Sequence, residues 1–159
     1  MQEKVRVLVV DDTVTYRNIL SKVVRSLPNA ELLDTASNGL IALKKIKRAK
    51  PDLVLLDVVM PQMDGIEALK EIKKCDRDIG VVMVSSCSRK HADITMTALN
   101  KGAIDFIAKP SNRGIEQNFR ELRDKLKPVI SLFIIRKYTS KARRLVSPDE
   151  DLRSITCLL

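Results

Sequence analysis

Apolar residues follow two alternating rhythms along the chain. Short runs rich in valine, isoleucine and leucine fill Val5–Val10, 31–36, Leu53–Leu56, 81–84 and 103–108. Between them the apolar positions recur every three or four residues, the spacing of one face of a helix. Ile19, Leu20, Val23, Val24 and Leu27 form the first such set, and Leu40, Leu43 and Ile46 the second. Ile66, Leu69 and Ile72 form the third, and Ala92, Met96 and Leu99 a weaker fourth. Pro28 and Pro51 punctuate the returns to strand, and Gly102 stands where a left-handed helix cap belongs. A fifth helix is predicted over 115–127, bounded by Pro128.

Five strands alternating with helices predict an α/β fold, a doubly wound sheet of five parallel strands. Strands this short and continuously apolar are expected where helices cover both faces. Beyond Pro128 the character changes. Residues 129–135 are apolar, 136–144 are basic, and 147–151 read as a loop. The chain therefore divides into a folded unit over 1–127 and a basic and apolar tail or interdomain linker over 128–159. The apolar stretch reads as a helix face that packs on the domain or on a second copy, which makes a homodimer one of the expected partners.

The length of 159 residues suits one domain with a tail, and 45% apolar with 31% charged residues is the balance of a globular protein. No apolar run approaches the roughly 18 residues of a membrane span. Met1-Gln2-Glu3-Lys4 leads into a strand and not into a signal peptide, so a cytoplasmic location is expected. Cys75, Cys87 and Cys157 lack metal-type spacing and are read as reduced thiols. The net charge of +9 invites a nucleic-acid reading, but its placement argues against one. From Arg113 onward 11 Lys/Arg face 6 Asp/Glu, a surplus of five, so the excess lies largely in the tail. Aromatic interleaving of the basic run is limited to Tyr138, so it is read as a solvated linker face.

The chemistry sits at strand ends. Asp11, Asp12, Asp57, Ser85 and Lys109 all fall at the carboxyl ends of predicted strands, where open α/β sheets bind ligands. Three converging carboxylates repel one another unless a cation joins them, and Mg2+ suits a set of hard oxygen ligands. Lys109 adds a fixed positive charge near Asp57, and Ser85 a hydroxyl donor. A carboxylate nucleophile, a metal, an ammonium and a hydroxyl meet the needs of phosphoryl transfer, which is mostly positioning and charge neutralisation. The expected product is an aspartyl phosphate on Asp57.

Asp11-Asp12, Asp57 with Met60-Pro61 and Asp64-Gly65, Ser85, and Lys109-Pro110, in this order and spacing, resemble a response-regulator receiver domain over residues 5 to about 127. The resemblance implies a flavodoxin-like sheet of strand order 2-1-3-4-5 and phosphorylation of Asp57 by a histidine kinase. It also implies direct Mg2+ ligation by Asp12 and Asp57, with Asp11 acting largely through water and the Val59 backbone carbonyl completing the shell. Ser85 and Phe106 would form the switch pair, and Lys109-Pro110 resembles the family's usual cis peptide. The segments 35–39, 82–86 and 102–111 are similar to the receiver half of chemotaxis-specific protein-glutamate methylesterases. That similarity implies an effector domain or the chemoreceptor machinery as partners.

Two features depart from those families. The esterase triad has no counterpart here: the chain has five glycines, no Gly-x-Ser-x-Gly elbow, and one histidine, His91. The chain itself is therefore expected not to be an enzyme beyond phosphoryl uptake and self-dephosphorylation. Val59 stands where many receivers carry a polar or acidic residue. It also disfavours a metal-dependent phosphatase or dehalogenase, which places a second acid two residues after its nucleophile. The competing reading is a stand-alone regulator, or one with another output, whose basic tail binds a partner or nucleic acid. Read singly, Asp11-Asp12 would be helix-capping acids, Thr13 and Thr15 helix-start residues, His91 a surface residue and Cys87 a bystander thiol.

Overall fold

The computed structural model describes residues 4–86, 91–111 and 114–145. Ten elements alternate without exception: β1 (Val5–Val10), α1 (Val14–Ser26), β2 (Ala30–Ala36), α2 (Gly39–Ala49), β3 (Leu53–Leu56), α3 (Gly65–Cys75), β4 (Gly80–Ser86), α4 (His91–Asn100), β5 (Asp105–Lys109) and α5 (Ile115–Leu145). The strands form one parallel sheet of order β2-β1-β3-β4-β5, as the resemblance implied.

Strand residues alternate between the two faces of the sheet, both covered by helices, which is why the central strands β1 and β3 are almost wholly apolar. Val7 and Val9 of β1, Leu53 and Leu55 of β3, and Val82 and Val84 of β4 join the core under α1 and α5. Their neighbours Leu8, Val10, Val54, Leu56, Val81 and Met83 join the core under α2, α3 and α4. Each Val or Leu side chain fully withdrawn from water contributes about 1.5–3 kcal/mol, so the central strands anchor both layers. Short polar side chains start the first three helices: Thr13, Asn38 and Asp64 each accept from the backbone N–H three residues on.

Three expectations need correction. The fourth apolar set does not form a buried face: Met96 is 57% and Leu99 39% exposed, and α4 seats itself through Ala98, with Ile94 partly buried one turn earlier. The small Ala98 side chain lets the helix approach the sheet, and the larger residues turn outward. The fifth strand begins at Asp105, because Ala103 follows Gly102 in a left-handed turn (φ 104°) and Ile104 donates to Val81 before the ladder starts.

The third correction concerns α5, which does not stop before Pro128 but runs through it for 31 residues. A proline inside a helix removes one backbone bond and costs about 3 kcal/mol. Here a continuous stripe offsets that cost. Leu122, Leu126 and Ile130 are buried at four-residue spacing, with Val129, Phe133 and Ile134 packed against the same core. Of the stretch 129–135, expected to pack on the domain or on a second copy, Val129, Ile130, Phe133 and Ile134 pack on the domain, whereas Leu132 and Ile135 are exposed. Phe133 reaches under the amino end of β4, where its Cε2 would lie 2.6 Å from any Cβ placed on Gly80. Further on, Lys137 pairs with Asp52 and Arg144 with Asp78 (3.4 Å), so part of the basic run is tied to the underside of the sheet. No helix among the described residues is long and apolar enough to cross a membrane.

Candidate functional site

The carboxyl ends of β1, β3 and β5 bring the predicted site together. Asp11 follows β1 directly; its N–H bonds the Ala36 carbonyl (3.1 Å), and the Asp57 N–H bonds that of Val10 (2.9 Å). The sheet ladder thus continues one residue past its strands and fixes both acids. Asp11, Asp12 and Asp57 each present a carboxylate oxygen within 4.8 Å of the other two, Asp11 and Asp57 buried and Asp12 exposed. Lys109, last residue of β5, reaches back over the sheet edge to Asp11 Oδ2 (2.7 Å) and Asp57 Oδ2 (3.2 Å). Ser85, near the end of β4 and opposite Ala108 in the ladder, is also buried. Val59 follows in the loop after β3, its side chain 70% exposed. Phe106, opposite Met83 in the ladder, is half-buried against the core under α2–α4.

The α3 side of the site depends on one glycine. The Gly65 N–H donates to the Val58 carbonyl (2.7 Å), drawing the start of α3 onto the loop that carries Asp57. A Cβ on Gly65 would lie 2.0 Å from the Asp57 carbonyl oxygen, so no other residue fits. Asp64, one position earlier, caps α3 through Glu67 and takes no part in the acidic cluster. The Asp64-Gly65 pair of the sequence motif therefore shapes the loop without joining its chemistry.

On the α1 side, Asp11 Oδ1 accepts from the Thr13 N–H and hydroxyl, both at 2.9 Å, and Arg17 donates to the Asp11 carbonyl (2.9 Å). Thr13 is the N-cap of α1, as expected of a helix-start residue. The other oxygen of Asp11 is buried and accepts no well-directed hydrogen bond; Lys109 supplies charge there but not a full set of donors. An acceptor left open beside two further carboxylates is what a hard divalent cation requires, so the donor set fits Mg2+. Lys109-Pro110 is a trans peptide, not the cis form that the resemblance implied. Trans is the lower-energy form of such a bond, and here the Pro110 carbonyl accepts a hydrogen bond from the Tyr16 hydroxyl (3.1 Å).

Burial, and next the charge of Asp11, push the Asp57 carboxyl up to about 6, against the pull of Lys109. Burial works against the Lys109 ammonium, but Asp11 and Asp57 outweigh it and raise its pKa above that of an ordinary lysine. The site thus gathers three acidic side chains around one fixed cation, an unbalanced arrangement. It can hold a divalent metal or an incoming group with its own cation, and it offers Asp57 as a nucleophile.

Sequence reasoning located the acids, Ser85 and Lys109 but missed Tyr16, whose ring lies 4.4 Å from the Lys109 ammonium. An aromatic residue one turn into α1 was the available signal; its partner 93 positions away was not readable. Cys75 is an exposed free thiol, while Cys87, Cys157 and the side chain of His91 lie outside the described residues.

Residues 7–118 match the family model described as the response regulator receiver domain. The chain is 39% identical to a protein-glutamate methylesterase/protein-glutamine glutaminase of Desulfotalea psychrophila, over 98% of this chain and 43% of that protein. A protein of the same description from Treponema denticola is 47% identical over 69% of this chain and 29% of its own length. Among solved structures, the response regulator domain of Thermotoga maritima CheB superposes with a TM-score of 0.74 at 39% identity, covering 83% of this chain and 97% of that one. A chain of the CheX–CheY–BeF3–Mg2+ complex of Borrelia burgdorferi gives 0.68 at 34% identity, covering 82% and 90%. The chain belongs to the response regulator receiver family, and its relatives include the CheB methylesterases. It spans less than half the length of those curated relatives.

Proposed function

We propose that this chain is the phosphoacceptor unit of a two-component system and that Asp57 takes the phosphoryl group from a histidine kinase. In the transfer the P–N bond of a phosphohistidine breaks as an Asp57 carboxylate oxygen forms the new P–O bond, and the released imidazole takes a proton from solvent. Asp12, Asp57 and the Val59 backbone carbonyl would hold Mg2+ directly, with Asp11 acting largely through water. Bound there, the metal would supply charge neutralisation on the transferring oxygens. Lys109 holds a second positive charge at the acceptor carboxylate, and Ser85 offers a hydroxyl to a phosphoryl oxygen. The observation that carries the reading is Lys109 bridging Asp11 and Asp57 in a buried cluster of three carboxylates.

Phosphorylation would add about −1.5 to −2 charges beside Lys109. Ser85 and Lys109 would move toward the new group, and Phe106 would turn further inward, favouring one of two arrangements of the α4–β5–α5 face. The effector would be a methylesterase unit of a longer parent in a chemotaxis pathway, operating in the cytoplasm. On this reading residues to about 127 form the receiver unit, and those from 128 connect it to the effector. The relatives' descriptions and the Mg2+ and BeF3 of the Borrelia complex support this assignment. The chain itself would have no activity beyond taking up and losing the phosphoryl group. An output through nucleic acid is less well supported, since Lys137 and Arg144 already face Asp52 and Asp78.

Incubation of the full chain with Mg2+ and acetyl phosphate, followed by intact-mass measurement, tests the reading. Wild type should gain one phosphoryl group and a folded Asp57→Ala variant none. Wild type that stays unmodified while Mg2+ binds would overturn it.

A further inference from the structure

We propose that Tyr16 is a positioning residue for Lys109, gripping the Lys109-Pro110 pair at both ends from the first turn of α1. The inference rests on the phosphoacceptor reading for its consequence but on separate contacts for its geometry. The aromatic face of Tyr16 lies 4.4 Å from the Lys109 ammonium, within the range of a cation–π contact. The hydroxyl of the same side chain donates to the Pro110 carbonyl at 3.1 Å. The rest of the ring packs against the core under α1 and α5. One side chain therefore touches the cation with its face and the next residue's backbone with its tip.

The grip answers a problem of lysine chemistry. An ammonium on a four-carbon stem is a mobile point charge, and two acids compete for this one, Asp11 at 2.7 Å and Asp57 at 3.2 Å. The ammonium lies against both carboxylates, and the ring at 4.4 Å is a third group that limits where the stem can carry it. A leucine at this position would fill similar space but offer no negative ring face. The tether to Pro110 acts on the backbone instead, holding the end of β5 to α1. Burial holds the Tyr16 hydroxyl above its ordinary pKa, partly countered by Lys109, so it remains a donor through neutral pH.

The two parts separate by mutation. Tyr16→Leu removes ring and tether, whereas Tyr16→Phe removes the tether and keeps the ring. With acetyl phosphate and saturating Mg2+, phosphoryl uptake by Tyr16→Leu should slow by about 5- to 30-fold, and Tyr16→Phe should recover to within about threefold of wild type. Urea unfolding serves as the control for fold. A second readout does not depend on phosphorylation: acylation of lysines by acetic anhydride, mapped by mass spectrometry, should modify Lys109 several-fold faster in Tyr16→Leu than in wild type or Tyr16→Phe. Leu and Phe variants that match each other in both readouts would overturn the role of the ring, as would a folded Tyr16→Leu with wild-type uptake. If wild type takes up no phosphoryl group, the phosphoacceptor reading fails and Lys109 reactivity alone decides the positioning role.

Discussion

Replacing Asp57 by Asn should make the metal-free protein more stable at neutral pH. Burial first, and the charge of Asp11 second, raise the folded carboxyl to about 6 from an ordinary 3.8. A group with a folded pKa above its unfolded one holds its proton more tightly in the folded state. Its contribution to stability is therefore complete below about pH 4 and is lost as pH rises through about 6. A displacement of about two pH units corresponds to about 3 kcal/mol, at about 1.36 kcal/mol per unit. Asparagine has nearly the same size and no charge to bury, so it escapes this loss. It also weakens one of the two contacts of Lys109, which leaves a net gain of about 1–3 kcal/mol near pH 7.5.

Urea unfolding with a chelator present, at about pH 4 and about pH 7.5, measures both halves of the claim. The gap should be open at the higher pH and nearly closed at the lower, where both side chains are neutral. Adding Mg2+ should then favour wild type, by about 1.4 kcal/mol for each tenfold excess of free metal over its dissociation constant. A variant less stable than wild type near pH 7.5 without metal would refute the reasoning. So would a gap of equal size at both pH values.

Two further substitutions test the scaffold around the site. Gly65→Ala would bring its new Cβ to 2.0 Å from the Asp57 carbonyl oxygen, so it should cost about 3 kcal/mol or more and lower Tm by roughly 6–12 °C. A native Tm would show that the loop can give way. Pro128→Ala should stabilise the chain by about 1–3 kcal/mol, because residue 128 is exposed and a restored N–H can bond the Asp124 carbonyl. A thermal melt at unchanged or lower temperature would contradict the view that α5 passes through Pro128 at a cost.

The sheet was legible because each strand had to satisfy two cores at once. A run such as Leu53–Leu56, apolar on both faces, has few other uses in a chain of this length. The site was legible for a related reason: the same strands end in acids, a serine and a lysine, and parallel strands carry their ends to one edge. What could not be read were contacts between distant segments. Tyr16 meets Lys109, and Phe133 meets Gly80, through folding alone. Pro128 misled because a local rule outweighed a spacing that was present all along, at Leu122, Leu126 and Ile130. In α4 the large apolar residues suggested the buried face, whereas the small Ala98 was the one that fitted against the sheet.

The unbroken α5 also makes mechanical sense of the molecule. Its Lys125 donates to the Ala108 carbonyl near the end of β5, while its last turns reach Asp52 and Asp78 at the amino ends of β3 and β4. The helix therefore runs from the pole of the acidic cluster to the opposite one, with Leu126 and Ile130 seated in the core between them. Beyond that seat Phe133, Lys137 and Arg144 hold the far half of the rod against the amino ends of β3 and β4. One helix thus braces both poles of the sheet, and the fifteen residues beyond Ile130 span roughly 22 Å of that brace.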